Sequence, residues 1–88
     1  MYSLNFIEYT PSNITEDTLK EYNETPNATA KVTGEMQGSM EIEVSIKYIA
    51  DDPADAIFEG QDLADKYNAD IYSITRTEVI ATEEVFNK

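Results

Sequence analysis

The side chains best suited to chemistry in this chain are carboxylates that share one face of a predicted helix. Between positions 55 and 65, four acids and one aromatic residue fall on the side opposite the apolar residues. An exposed ring bordered by acids fits a basic, partly apolar partner, because the ring supplies buried area and the acids supply electrostatic steering. The candidate partner-binding residues are Asp55, Phe58, Glu59, Asp62 and Asp65 on this helix, with Glu41 and Glu43 on a predicted strand.

The same acidic face also fits a second interpretation, a solvated helix on which Phe58 packs sideways against an adjacent strand or a dimer mate. Like charges at three- and four-residue spacing destabilise a helix by a few tenths of a kcal/mol per pair. The helix therefore carries these acids against its own local stability, and both interpretations stay open.

Residue types that usually carry catalysis are scarce. The chain has no histidine and no cysteine, which removes the commonest general base and the thiolate nucleophile. Its serines stand in no nucleophile-elbow or Ser-x-x-Lys context, and no glycine cluster could hold a phosphate. We therefore predict a protein that is not an enzyme and that uses no cofactor.

Three neighbouring aspartates, Asp51, Asp52 and Asp55, are the obvious candidates for a calcium site. An EF-hand loop needs glycine at its sixth position and glutamate at its twelfth. Counting from Asp51 places Ala56 and Asp62 at those positions. Helix capping explains Asp52, and ordinary solvation explains its neighbours, so no metal site is predicted.

The charge balance indicates the kind of partner. Eighteen acidic residues against six basic ones give a formal net charge of −12. Such a charge steers a protein toward positively charged surfaces and away from nucleic acid and anionic lipid. The absence of cysteine fits a reducing compartment, and no apolar run approaches the ~18 residues of a membrane span. We expect a cytoplasmic protein with a basic protein as partner and no contact with membranes.

Alternating and helical periodicities predict four strands and two helices. The first strand should contain a bulge, because its apolar positions change phase between Phe6 and Ile7. In chain order, the elements are a strand over 1–10, a helix capped by Thr15 and ending near Glu24, a hairpin over 28–50, a helix capped by Asp52 and running from Pro53 to about Tyr67, and a long strand from Asp70 to Thr82. Asn68 is suited to the left-handed residue that follows the second helix. In the second strand of the hairpin, apolar residues alternate with polar ones, so that one face carries Met40, Ile42, Val44, Ile46 and Tyr48 and the other carries Glu41, Glu43, Ser45 and Lys47. The tail over 83–88 carries Val85 and Phe86, and we expect it to pack on the domain or to pair with another chain.

The order β-α-β-β-α-β folds most simply into one α+β domain over residues 1–88, with a four-stranded antiparallel sheet and both helices on one face. This is the ferredoxin-like arrangement. A chain of this length buries only about 60 to 65% of the surface that its unfolded form exposes. The core is therefore thin, and a homodimer is one way of completing it.

This order of elements raises the alternative of RNA binding. RNA-recognition modules of this topology stack bases on aromatic residues of the sheet. Tyr2, Phe6 and Tyr9 on the first strand would serve if they are exposed, whereas Glu41 and Glu43 on the outward face would repel phosphate. Direct nucleic-acid binding is therefore disfavoured, and an atypical RNA-binding protein stays an alternative.

In size, acidity, lack of cysteine and histidine, and absence of a catalytic signature, the chain resembles phage-encoded host-takeover and anti-defence proteins of the DNA-mimic kind. The resemblance is one of composition and assigns a role to no residue, because such proteins share no motif. It implies an inhibitor or adaptor in the host cytoplasm that docks its carboxylates on a nucleic-acid-binding protein in place of a phosphate backbone. The alternative is a small dimeric ferredoxin-like regulatory or ligand-binding domain that uses its sheet face or dimer seam.

Overall fold

Two helices and five strands make up the described part of the chain. A computed structural model describes residues 1–77 and 82–88. The strands are β1 (Tyr2–Pro11), β2 (Ala28–Met36), β3 (Ser39–Tyr48), β4 (Tyr72–Thr77) and β5 (Thr82–Asn87), and the helices are α1 (Thr15–Glu24) and α2 (Pro53–Lys66), with a short 3-10 turn at Ser12–Ile14 before α1. The protein therefore has an α+β fold.

All five strands belong to one antiparallel sheet, in the order β2-β3-β1-β4-β5. The predicted four-stranded ferredoxin-like arrangement is wrong, because the tail adds β5 on the outer side of β4. The predicted single strand over 70–82 is also wrong, since Thr82 lies opposite Thr77 in an antiparallel pair. Residues 78–81 of that predicted strand lie outside the described residues.

The tail packs on the domain, which is one of the two outcomes expected for it. The ring of Phe86 stacks on Tyr72, with 5.8 Å between the ring centroids. Lys88 extends the pairing through two backbone hydrogen bonds with Tyr72, at 2.8 and 3.2 Å. The stacked rings and the backbone pairing together hold the tail as a fifth strand.

β1 is a regular strand with two different faces. It pairs with β3 in one continuous register from Tyr2 to Pro11, so the predicted bulge between Phe6 and Ile7 is wrong. Because successive side chains point to opposite faces, Phe6 is buried under the helices. Ile7 and Tyr9 lie on the other side, here called the open face, where both are exposed. The change of phase in the sequence reflects apolar side chains on the open face.

Both helices cover the same face of the sheet. Tyr22 of α1 meets Phe6 edge-on, and Tyr67, which directly follows α2, stacks on the same ring. The alternation predicted for β3 is confirmed, since Ile42 and Val44 are fully buried on the helix side. Among residues 1–77 and 82–88, the largest fully buried side chains are Leu4, Ile42, Val44 and Ile74.

α2 lies close to the sheet because the residues that it buries are small. These residues are Ala56, Gly60 and Ala64. A Cβ atom at Gly60 would overlap Cδ1 of Ile74 and would lie 2.7 Å from the hydroxyl oxygen of Tyr48. Gly60 is therefore required by the distance between helix and sheet.

The ends of α2 follow the predicted signals, whereas the start of α1 does not. Asp52 caps α2, because its Oδ1 accepts a hydrogen bond from the N–H of Asp55 at 2.9 Å. Asn68 ends the helix with φ 56°, the left-handed conformation common at this position. Thr15 is the first residue of α1 and not its cap, because its hydroxyl donates backward to the carbonyl oxygen of Pro11 at 3.1 Å.

Gly60→Ala should lower the free energy of unfolding by about 1 to 3 kcal/mol, because overpacking outweighs the helix-propensity gain of about 1 kcal/mol. Urea denaturation followed by circular dichroism measures the change. Ile74→Val removes the atom that the new methyl group would overlap. Gly60→Ala should therefore cost less in that background than in the wild type. A Gly60→Ala protein more stable than the wild type would contradict the close approach of α2.

Candidate functional site

The outer face of α2 carries the predicted acidic residues, and this surface is here called the α2 stripe. The stripe consists of Asp55, Phe58, Glu59, Asp62 and Asp65, all of which are exposed. The buried residues of α2 lie on the opposite side of the helix, so packing on the sheet turns the stripe toward solvent. The side chain of Phe58 is 67% exposed, so no adjacent strand among the described residues covers it, and of the two placements in the second interpretation only the dimer mate remains.

Negative charge on the helices has little compensation. Residues 15–24 and 51–66 hold ten carboxylates and two lysines, which accounts for eight of the twelve excess negative charges. Lys20 forms an exposed ion pair with Glu24 at 4.0 Å, and such pairs contribute little. Within residues 1–77 and 82–88, no carboxylate of the α2 stripe forms a salt bridge. These acids can therefore meet a cation from outside the chain.

The two strand carboxylates lie on a different surface. Glu41 and Glu43 are half-buried on the open face, so the sheet separates them from the α2 stripe. Glu41 accepts hydrogen bonds from the hydroxyl groups of Tyr9 at 3.3 Å and Thr33 at 3.2 Å. Glu43 lies opposite Lys31 of β2. The structure thus brings five of the seven candidate residues together and places the other two elsewhere, beside local partners.

Tyr48, at the end of β3, is hydrogen-bonded to the first turn of α2. Its hydroxyl donates a hydrogen bond to the carbonyl oxygen of Ala56 at 2.5 Å, and its ring stacks on Tyr2 at a centroid distance of 6.1 Å. Burial, followed by the negative charge of Glu59, raises the pKa of Tyr48 to about 12. Glu59 of the α2 stripe therefore helps to keep the Tyr48 hydroxyl protonated, and this hydroxyl holds the first turn of α2 in place.

The aromatic residues that RNA binding would need are mostly inside the protein. Tyr2 and Phe6 are buried under the helices. Tyr9 is 58% exposed on the open face, and its hydroxyl is bonded to Glu41. Of the three rings, only Tyr9 is exposed for stacking on a base, and it lies beside the carboxylate of Glu41, which repels phosphate.

The open face has a feature that the sequence analysis misses. A depression of about 620 Å³ lies beside β1 and the start of β4, and the exposed residues Ile7 and Ile71 line it. Asn5, which also lines it, donates to the hydroxyl oxygen of Thr75 at 3.1 Å and accepts from the hydroxyl of Ser45 at 2.8 Å. The sequence does contain a sign of this depression, because the apolar residue Ile7 is out of phase with the buried residues of β1. Without the register of the strands, the same pattern is interpreted as a bulge.

Of the three aspartates considered for calcium, Asp52 caps α2, because its side chain accepts a hydrogen bond from the N–H of Asp55. In the part of the chain that the structure describes, no group of three or more aspartates or glutamates is placed to hold a metal ion.

Of the helices in those same residues, none has the length and apolar character that crossing a membrane requires.

No family model, curated protein or solved structure matches this chain at a significant level. The chemistry of the site is therefore inferred from its own residues. Exposed carboxylates attract positive charge, and an exposed ring among them adds apolar area to a contact. This arrangement is suited to binding a cationic surface.

We predict that the protein loses stability as the pH rises above about 10. An unfolded chain releases the Tyr48 proton near pH 10, whereas the folded protein holds it to about pH 12. The contribution of this group is complete below pH 10 and is lost between pH 10 and pH 12. Burial and the neighbouring carboxylate of Glu8 also raise the pKa of Tyr22, which adds to the decline.

Urea denaturation of the wild type and of Tyr48→Phe, repeated from neutral pH to pH 12, measures the effect. Tyr48→Phe should be less stable at neutral pH by about 1 kcal/mol, because the hydrogen bond to Ala56 is lost. Its stability should then decline less steeply in alkali. Equal slopes for the two proteins would contradict the raised pKa of Tyr48.

Proposed function

We propose that this protein is a non-enzymatic binding domain that docks the α2 stripe on a basic surface of a partner protein, as an inhibitor or adaptor. The observation that supports this function is the exposed ring of Phe58 among four exposed carboxylates that form no salt bridge within the described residues. The ring can bury apolar area at the centre of the contact, and the acids can steer and orient a cationic partner.

The α2 stripe is held on a fixed element, which favours binding because ordering mobile groups costs affinity. The Asp52 cap and the Tyr48 hydrogen bond fix the first turn, and the close approach at Gly60 fixes the middle of the helix. Asp62 and Asp65 lie in the C-terminal half, where the helix dipole disfavours negative charge. These two acids destabilise the helix that carries them, and a role in binding a partner would explain why they are there.

The spacing of the acids supports a nucleic-acid-binding protein as the partner. From Asp55 to Asp65 the helix axis rises about 15 Å, so the four carboxylates recur about every 5 Å along it. One DNA strand carries a phosphate about every 3.4 Å of axis. The α2 stripe therefore has roughly two thirds of the linear charge density of a nucleic-acid strand. A basic groove that holds a phosphate backbone could hold this helix in its place, as DNA mimics do.

The proposed function is tested by affinity capture at low ionic strength from a lysate of the cell that contains the protein. The triple variant Asp55→Asn, Glu59→Gln and Asp62→Asn should bind the captured basic protein about tenfold more weakly or worse, because three steering charges are lost. Phe58→Ala should lose about 2 kcal/mol of binding free energy. Calorimetry with the purified partner measures both changes.

The matched control places the same change of charge on α1, as Glu16→Gln, Asp17→Asn and Glu21→Gln. This control should keep the affinity of the wild type within a small factor, since its charges lie outside the α2 stripe. The α2 variant removes like-charge pairs but also the favourable first-turn charge of Asp55, so urea denaturation of both triple variants checks that unfolding does not explain weaker binding. Equal losses of affinity for the two triple variants would show that only net charge matters and would contradict the proposed surface.

A further inference from the structure

β1 is longer than β4, the strand that pairs with one of its two edges. β3 accompanies β1 along its whole length, from Tyr2 to Pro11. β4 pairs with β1 only as far as Phe6, which lies opposite Tyr72. From Ile7 to Pro11, the side of β1 that faces β4 has no partner strand among residues 1–77 and 82–88. This segment is here called the free edge.

The backbone groups at the free edge point outward in a defined pattern. The N–H of Thr77 donates to the carbonyl oxygen of Met1 at 3.0 Å. By the alternation of an antiparallel ladder, the odd-numbered residues of β1 therefore direct their N–H and C=O groups toward β4. Ile7 and Tyr9 continue this series past the last pair. Their backbone groups lie at the free edge without a backbone partner in the described chain.

The depression on the open face lies beside the free edge and could take the side chains of an added strand. Its volume is about 620 Å³, and Ile7, Tyr9 and Ile71 line it. Ile71 is 78% exposed and Ile7 is 44% exposed, so apolar surface is available there. Asp70 and Glu84 also line the depression, and none of its described lining residues is a lysine or arginine.

We propose that the free edge binds an extended, basic segment of a partner protein, which lies antiparallel to β1 and in line with β4. The backbone of the segment pairs with Ile7 and Tyr9, and one of its apolar side chains contacts Ile7 and Ile71. A lysine or arginine of the segment lies beside Asp70 or Glu84. This occupant is favoured over a second copy of the chain, which would bring a further net charge of −12 to an already acidic surface.

The free edge is separate from the α2 stripe, because it belongs to β1. Binding at one surface does not require binding at the other. Unpaired edge groups commonly recruit another strand, and the acids around the depression select a cationic one. The site therefore adds a peptide-binding activity to the proposed docking of α2.

Fluorescence anisotropy with a labelled peptide of alternating lysine and valine tests this site on the full chain. A second peptide, methylated on the backbone nitrogens of alternate residues, keeps the charge but cannot pair with an edge. The methylated peptide should bind about tenfold more weakly, because two backbone hydrogen bonds are lost. An alternating glutamate and valine peptide should not bind.

Tyr9→Pro removes an N–H group at the free edge and leaves the ladder between β1 and β3 complete, because proline is tolerated where the N–H has no strand partner. Tyr9→Ala loses the same ring but keeps the N–H, and is the matched control. Peptide binding to Tyr9→Pro should be about fivefold weaker than to Tyr9→Ala, because one backbone hydrogen bond is lost. Circular dichroism checks that both variants fold, and the methylated peptide tests the site even if one does not.

The triple variant of the α2 stripe should still bind the lysine and valine peptide, which separates this site from the proposed function. Equal binding of methylated and unmethylated peptides would mean attraction by charge alone and would overturn the proposal. Loss of peptide binding in the α2 variant, with Tyr9→Pro unaffected, would also overturn it. A dimer in sedimentation that Tyr9→Pro dissociates would assign the free edge to a second copy instead.

Discussion

The close approach of α2 to the sheet at Gly60 determines the surface that this protein presents. Ile74 and the hydroxyl group of Tyr48 occupy the space that a side chain at Gly60 would need. The helix can therefore lie at this distance only with its small residues turned inward. That orientation buries Ala56 and Ala64 completely and leaves the four carboxylates and the ring of the α2 stripe on the opposite side.

The distribution of charge follows from the same packing. The helix side of the sheet is filled by aliphatic and aromatic residues, and eight of the twelve excess negative charges lie on the outside of the two helices and at the cap of α2. Carboxylates in water avoid the cost of desolvation, but they still repel one another, and a domain of this size has little stability to spare. A cationic partner would relieve this repulsion. The repulsion that destabilises the isolated domain would therefore favour association with such a partner.

Local patterns in the sequence predict much of the fold and fail where pairing is long-range. Asp52 and Asn68 mark the ends of α2 because capping acts within a few residues, and the exposure of the α2 stripe follows from the helical period. The bulge expected at Ile7 is absent, since an apolar side chain on the open face produces the same pattern. The fifth strand depends on the pairing of Thr77 with Thr82, and the free edge depends on β1 being longer than β4. No local pattern encodes either relation.

The α2 stripe and the free edge belong to different elements, and both are acidic surfaces with exposed apolar side chains. A partner with a basic surface and an extended basic segment could contact both. Docking by α2 is tested most directly by mapping amide chemical shifts of the isotope-labelled protein as the captured partner is added. The largest changes should follow the α2 stripe from Asp55 to Asp65. Unchanged amide signals throughout α2, with changes confined to the strands, would contradict a docking role for this helix.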